Sequence, residues 1–521
     1  MNKKTKIIIF ALILLAVIAI NLVVIKLLSN KEEEVVITET ESKEFAQKAS
    51  TKILGIDVTD LDLFFLKNNN EGKNMIYSPL SIKYGMNMLI EGADGETKEQ
   101  ITNQFNTPKL NRYLNNVNMS IANAFFVRDT FSKNIKSSYL KTLKNEYNAS
   151  VIYDSFTSPD TINKWVSDKT FKLINNLVDD SITEKDFALI NTVAIDMEWV
   201  NKIQAVDNEY YVSYQHRRFW HYIEGLELSG FHPLEFSGIS EPVESVELGA
   251  VINKYDIVNT LGADKIRNEV SKAYQNWLNE GAPFSCEEDI SKEPSVTDYV
   301  NTYMEEINKG YKDISSSTDF TFYVDDNITA FAKDLKQYGN TTLQYVAIMP
   351  KKAPLKSYIS NLKSSDITSI INKLKEVKLE NFDEGYITSI EGYIPMFQYD
   401  YELNLISDLH KLGIKNIFYI SKADLSKMAN TKVAIDEAKH KANISFSNDG
   451  IKAAAAFELG GAGAGDCGFD YFYDVPIKKI DLSFNKPYIY LIREKSTGEI
   501  WFVGSVYEPT TYTEVEYNGK S

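Results

Sequence analysis

The chain has 521 residues, 44% hydrophobic and 12% aromatic, enough to bury a core in one large domain or two to three ordinary ones. Its net charge of −16 excludes nucleic acid and anionic lipid as default partners. Its two cysteines, Cys286 and Cys467, make no disulfide framework, and its five histidines show no ligand spacing, so neither metal nor cofactor is expected. His216 and His221 sit in an Arg- and aromatic-rich run that reads as surface. The excess of Lys over Arg, with abundant Asn and Ile, points to an AT-rich bacterial genome.

Residues 1–6 carry Lys3, Lys4 and Lys6 and precede an apolar run over 7–28, interrupted by Asn21 and Lys26. As a helix this run would rise about 33 Å, close to the hydrocarbon thickness of a bilayer. The exit from Val24 to Ser29 is a poor cleavage site, so an uncleaved transmembrane signal anchor is predicted, with a secreted protein as the alternative if it is cut. Basic residues before the span and Glu32, Glu33 and Glu34 after it place the body outside the cytoplasm, at the cell surface. Residues 29–45 read as an acidic linker, and the globular part begins at residue 46.

Helical spacing runs through Ile53, Leu61, Phe64 and Leu66. Ser78-Pro79 and Gly92 bound a predicted helix, and another starts near Gly95-Glu96-Thr97. Phe187 to Trp199 and Thr342 to Met349 are strand-like. Between 203 and 317 the pattern is irregular, with an amphipathic helix over Asp264–Leu278 and a loop at Glu280-Gly281-Ala282-Pro283; it reads as a surface insertion without a chemical motif. Tyr488–Ile492 and Ile500–Val506 alternate as two antiparallel strands turned at Lys495-Ser496-Thr497-Gly498, followed by a tail over 510–521.

The most informative run is 440–456. Ala442, Ile444 and Phe446 alternate with Asn443, Ser445 and Ser447 up to Gly450, and Ile451, Lys452, Ala453, Ala454, Ala455 and Ala456 follow. The alternation continues, with Ile451, Ala453, Ala455, Phe457 and Leu459 on one face and Lys452, Ala454, Ala456 and Glu458 on the other. One face is wholly apolar and the other small or charged, as a half-buried strand requires and a surface loop does not.

This run resembles the hinge of the serpin family, in which an exposed loop re-inserts as a new central strand. Collinear resemblances lie at Asn74–Ile82, Gly92–Thr97, Ile121–Val127, Ile162–Val166, Leu189–Thr192 with Trp199, Leu412–Ile414, Ala423–Ser426, and Phe484–Tyr488 through Gly504 to Pro509. The resemblance implies a mixed α/β, multi-sheet serpin domain over 46–509, with three β-sheets, surrounding helices and an exposed hinge and reactive-centre loop over 448–482. By it, Gly450 to Ala456 form the hinge, Ser78, Ser81, Asn191 and His440 a polar shutter, and Trp199 the breach where a parallel-type insertion begins.

The implied function is inhibition of a serine-type endopeptidase by suicide trapping: loop cleavage, an acyl-enzyme, then loop insertion into the central sheet. Insertion of about 14 residues at ~3.3 Å each would carry the protease about 45 Å. The family's spacing from Gly450 places the reactive bond at Ala464–Gly465, among small residues that suit an elastase-like or subtilisin-like target. Counting back from Pro487 reaches Pro476 instead, because the loop is long; cleavage at Phe469, Tyr471 or Lys478 would leave slack. Cys467 then falls on the leaving side, as a plain loop cysteine. The chain between Thr97 and Ile121 is short for the family's polyanion-binding helix, so no heparin-like cofactor is expected. A monomer is expected, and not an enzyme, since no Gly-x-Ser-x-Gly elbow supports a hydrolase using His440. Two alternatives stay open: a non-inhibitory serpin-fold binding or surface-interaction protein, and an inhibitor of a cysteine protease. The family's Thr or Ser after the hinge glycine is here Ile451, its paired acids are Asn448 and Asp449, and Met197 stands where it often has Gly.

Overall fold

The computed structural model describes residues 59–105, 111–203, 205–206, 223–224, 234–287, 289–309, 312–316, 319–451, 468–469, 471 and 473–509. The expected anchor over 7–28, the linker, the tail, His216 and His221 lie outside these. No helix among the described residues is long and apolar enough to cross a membrane.

Helix α1 (Pro79–Gly92) starts where its sequence directs. The Ser78 hydroxyl accepts the Ser81 amide at 3.0 Å, and Pro79 occupies a position whose N–H would have no helical partner. At its end a Cβ on Gly92 would meet the Met428 Cβ at 2.9 Å, so only glycine admits that close approach. A following helix covers Gly95–Phe105, and no helix is found over 111–118.

A seven-stranded sheet forms the rigid part of the core. Its order is Met75–Tyr77, Ile500–Val506, Tyr488–Glu494, Leu343–Pro350, Ile328–Asp334, Thr321–Val324 and Lys375–Glu376. The expected carboxyl-terminal hairpin is present, with a bulge between Ile492 and Arg493. Trp501, Tyr345, Tyr488 and Tyr490 are among its fully buried side chains.

The central sheet is in two pieces. One holds β1 (Met119–Arg128), β2 (Ser150–Asp154) and β3 (Phe187–Ile195), in the order β2-β1-β3, with helix α2 (Asp160–Lys169) packed across them. After Asp196 the same chain continues as β4 (Met197–Glu198), which belongs to the other piece. That piece has β4 at one edge, then β7 (Gly450–Ile451), β6 (Lys439–Phe446) and β5 (Phe397–Asn404). With this split and the smaller sheets, the described strands form six hydrogen-bonded groups, where three sheets were expected. The smaller groups share chain segments, because bends near Gly249 and Gly392 break strands that run on in sequence.

Residues 254–309 build a helical module. Helix α3 (Ala263–Asn279) realises the expected amphipathic helix, and α4 (Val296–Lys309), which the sequence pattern did not reveal, packs beside it. Ile266, Val270, Val300, Tyr303 and Ile307 form a core separate from the main one.

Candidate functional site

The site is a slot in the central sheet. Among the described residues, strand β3 is hydrogen-bonded only to β1, from Met119↔Ile195 to Val127↔Phe187. Strand β6 pairs along its whole length with β5, but on its other side only Phe446 is paired, with Ile451. Among the described residues, the edges Phe187–Ile195 and Lys439–Ser445 therefore face each other without a ladder. A cavity of about 20 Å³ lies between Val193, Ala194 and Ile195 on one side and Asn443, Ile444 and Ser445 on the other. A second, of about 50 Å³, lies below it between Leu189–Val193 and Lys439–Ala442. The slot opens at its base into a cleft of about 710 Å³ lined by Leu177, Phe187–Asn191, Ile417–Ser421 and Lys432–His440. Unpaired strand edges are templates for another strand. Two buried side-chain oxygens on these edges, Asn191 Oδ1 and Asn443 Oδ1, lack a partner.

The top of the slot is closed by the hinge itself. The chain leaves β6, turns at Ser447–Gly450 and comes back as β7, with the Ser447 amide donating to the Gly450 carbonyl at 3.0 Å. Ile451 pairs antiparallel with Phe446 on one side and Met197 on the other, so the expectation of a parallel-type insertion is corrected: a hairpin reversal makes the new strand antiparallel to both neighbours. Gly450 lies against β4 so closely that a Cβ would sit 2.1 Å from the Met197 carbonyl oxygen. Ile451 is 2% exposed and part of the main core.

Trp199 locks this turn. Its backbone amide donates to the Asp449 carbonyl and its indole Nε1 to the Ser447 carbonyl, both at 2.9 Å. The ring is fully buried, edge-on to Phe446 and Tyr345 at 5.5 and 6.1 Å. Asp449 is buried and forms an ion pair with Lys202, and the Ile203 amide donates to the Asn448 carbonyl.

Ser78, Ser81, Asn191 and His440 line the same 50 Å³ cavity, but they do not form one network. His440 Nε2 accepts the Ser78 amide at 2.9 Å, so its ring proton is on Nδ1. Burial lowers its pKa from 6.5 to about 4, keeping the ring neutral at pH 7. Asn191 turns away and donates to Asn123 Oδ1 at 2.6 Å, while Asn123 Nδ2 donates to the Tyr147 carbonyl. Asn123 was missed from sequence. Its signal is a buried amide within Ile121-Ala122-Asn123-Ala124-Phe125, where an unpaired polar group would be costly.

Lys452 to Ala456 and the expected reactive bond Ala464–Gly465 lie outside the described residues. Phe469 and Tyr471 are described, and both contact the helical module. Lys478 lies in strand Ile477–Asp481, paired parallel with Ile387–Glu391 and ion-paired with Asp383 at 2.7 Å. Cys286 is in a disulfide, a single bond that the sequence positions of the two distant cysteines did not suggest. The described residues hold no group of three or more metal-ligating side chains.

The family description "Serpin (serine protease inhibitor)" matches residues 61–217 and 312–509. The chain belongs to the serpin family. The stretch between the two matches contains the helical module. Similar proteins include neuroserpin of Mus musculus, 23% identical over 474 residues that cover 86% of this chain and 88% of the relative. A serpin-like protein of Methanosarcina acetivorans is 23% identical over 461 residues, covering 84% and 82%. Serine proteinase inhibitor 2 of Variola virus is 31% identical over 179 residues, covering 34% of this chain and 45% of the relative. The fold is also that of the thermophilic serpin tengpin in its native state, with a TM-score of 0.55 at 20% identity over 89% of this chain and 98% of tengpin. Thyroxine-binding globulin in complex with thyroxine gives 0.54 at 17% identity over 86% and 98%. The bare expectation that this serpin is not an enzyme is corrected to what the match establishes, membership of a family of serine protease inhibitors that act on proteases. That match makes no statement about catalysis.

Proposed function

We propose that this serpin inhibits a serine-type protease by suicide trapping, with the slot between β3 and β6 receiving the cleaved loop. The observation that carries the reading is the hinge pair Gly450–Ile451 seated at the head of a slot whose edges are unpaired among the described residues. Continuing its register would set Ala453 opposite Ile195 and Ile444, and Ala455 opposite Val193 and Ala442. Phe457 would fall between Asn191 and His440, in the cavity beside Ser78 and Ser81. On the other face Lys452 would oppose Asp196, Ala454 and Ala456 would pass beneath α2, and Glu458 would oppose Lys439. Apolar residues thus meet the core, small ones meet the covering helix, and each charge meets its opposite. Ser78, Ser81, Asn191 and His440 would be remade as the sheet parts, with Trp199 at the point of entry. The uncleaved state would then persist kinetically.

The reactive bond in this reading is Ala464–Gly465, and the target a serine protease with a shallow specificity pocket. The protein would act as a monomer outside the cytoplasm, held at the surface by residues 7–28. The Cys286 disulfide supports an oxidising compartment. The test is incubation with elastase-, subtilisin-, trypsin- and papain-like enzymes, followed by denaturing electrophoresis and thermal melting. A covalent adduct, with a fragment starting at Gly465 that separates under reducing conditions, is the expected result. Cleavage giving neither adduct nor raised melting temperature would replace trapping with a binding role for the fold, and an adduct only with the papain-like enzyme would move the target class.

A further inference from the structure

The carboxyl-terminal part of the loop is held by the helical module. Gly468 enters with φ +111°, a conformation open to glycine, and its amide donates to the Phe284 carbonyl at 2.8 Å. The Phe469 ring then lies among Tyr274, Trp277 and Tyr299, at centroid distances of 5.3, 5.6 and 5.6 Å. Two tyrosine hydroxyls of α4 bond the loop backbone: Tyr299 donates to the Phe469 carbonyl at 2.6 Å and Tyr303 to the Tyr471 carbonyl at 2.9 Å. Tyr473 and Val475 are buried in the module's core, and the Tyr473 hydroxyl donates to Glu269 of α3. Cys286, whose Sγ lies 3.6 Å from where a Cβ on Gly468 would be, is in a disulfide, and Cys467 is the only other cysteine of the sequence.

We propose that the module is a brace for the leaving side of the bait loop, closed covalently by a Cys286–Cys467 disulfide. The proposal rests on reading the loop as bait. Backbone held by aromatic packing, two hydroxyl donors and a covalent link cannot extend into a protease's active-site cleft, so the brace removes residues 468–475 from the accessible loop. The free bait shrinks to 452–466, which contains Ala464–Gly465 and leaves out Phe469, Tyr471 and Lys478. This gives the long loop a physical purpose. Its added length is spent on the module, and the stretch from hinge to cut keeps the length the slot can take up. After cleavage, the disulfide keeps the carboxyl-terminal fragment on the body.

Chymotrypsin, which cuts after aromatic residues, tests the brace without reference to inhibition. In the full chain, cuts after Phe469 and Tyr471 should be slow, and Y299F/Y303F, which removes only the two hydroxyl donors, should raise their rate about tenfold or more. Phe469→Ala should do the same at Tyr471. C286S should leave the fragment released by elastase free in denaturant without reductant, whereas the parent releases it only with reductant. Equal cutting at Phe469 and Tyr471 in parent and variants, or fragment release from the unreduced parent, would overturn the brace. If the cutting pattern holds but no protease is trapped, the brace stands and the inhibitory reading falls. If protease is trapped while Phe469 and Tyr471 are cut freely, the brace alone falls.

Discussion

In the seven-stranded sheet, Leu343–Pro350, Tyr488–Glu494 and Ile500–Val506 are each paired on both sides and buried at every residue. In the central sheet, among the described residues, β3 is paired on one side only, β6 is too except at Phe446, and cavities and two unpartnered amide oxygens lie in the seam between them. Both are built from β-branched and aromatic residues, so composition does not separate them. What separates them is completion among the described residues: there the first sheet has no bond left to make along its central strands, and the second has a strand's worth of bonds unmade. A finished sheet resists change because any opening costs hydrogen bonds and packing. An unfinished one can lower its free energy by accepting chain.

The sharpest way to test this contrast is to fill the slot. Cutting the loop within 452–466 should add about ten ladder hydrogen bonds at ~0.5–1.5 kcal/mol each, raising the melting temperature by on the order of 10 °C or more. An unchanged melting curve after complete cleavage would mean the slot stays empty. Truncation in the finished sheet should cost about 2–5 kcal/mol: Leu491→Ala removes a fully buried side chain there, and denaturant unfolding would show it.

His440 gives the seam a pH dependence. Its pKa is lowered from 6.5 in the unfolded chain to about 4 in the folded one, so the unfolded state binds the proton first. Stability is full above pH 6.5 and falls by about 3 kcal/mol as pH drops through 4. His440→Gln, whose amide oxygen can still accept the Ser78 N–H, should flatten that part of the pH–stability curve; an unaltered slope would assign it to other groups. Gly450→Ala should cost about 1–3 kcal/mol, since its Cβ meets backbone that cannot swing aside. Hydrogen exchange should quicken at Ser447–Ile451 and stay unchanged in the seven-stranded sheet.

Much of this was legible in the chain. The Ser78-Pro79 start and Gly92 end of α1, the extent of α3 and the carboxyl-terminal hairpin were all readable, because caps, helical spacing and turn residues act over a few positions. The alternation through Gly450 and Ile451 was readable for the same reason. What the sequence hid was partnership. Asn191 bonds Asn123 and not His440, and nothing local to either residue says so. By counting back along the long loop, Phe469 and Tyr471 fell among the cut sites that would leave slack, yet helices more than a hundred residues earlier in the chain hold them. The two cysteines looked unrelated for the same reason of distance.

The sequence by itself determined that residues 450–459 can form a strand with one apolar face, because a two-residue period needs no knowledge of its neighbours. Only the tertiary structure decided that the described residues leave two strand edges facing each other unpaired, that a strand continuing from Ile451 would run antiparallel to both, and that the loop beyond it is gripped. Those are properties of edges and surfaces brought together from distant parts of the chain, where hydrogen-bond pairing and packing, not local propensity, set the outcome.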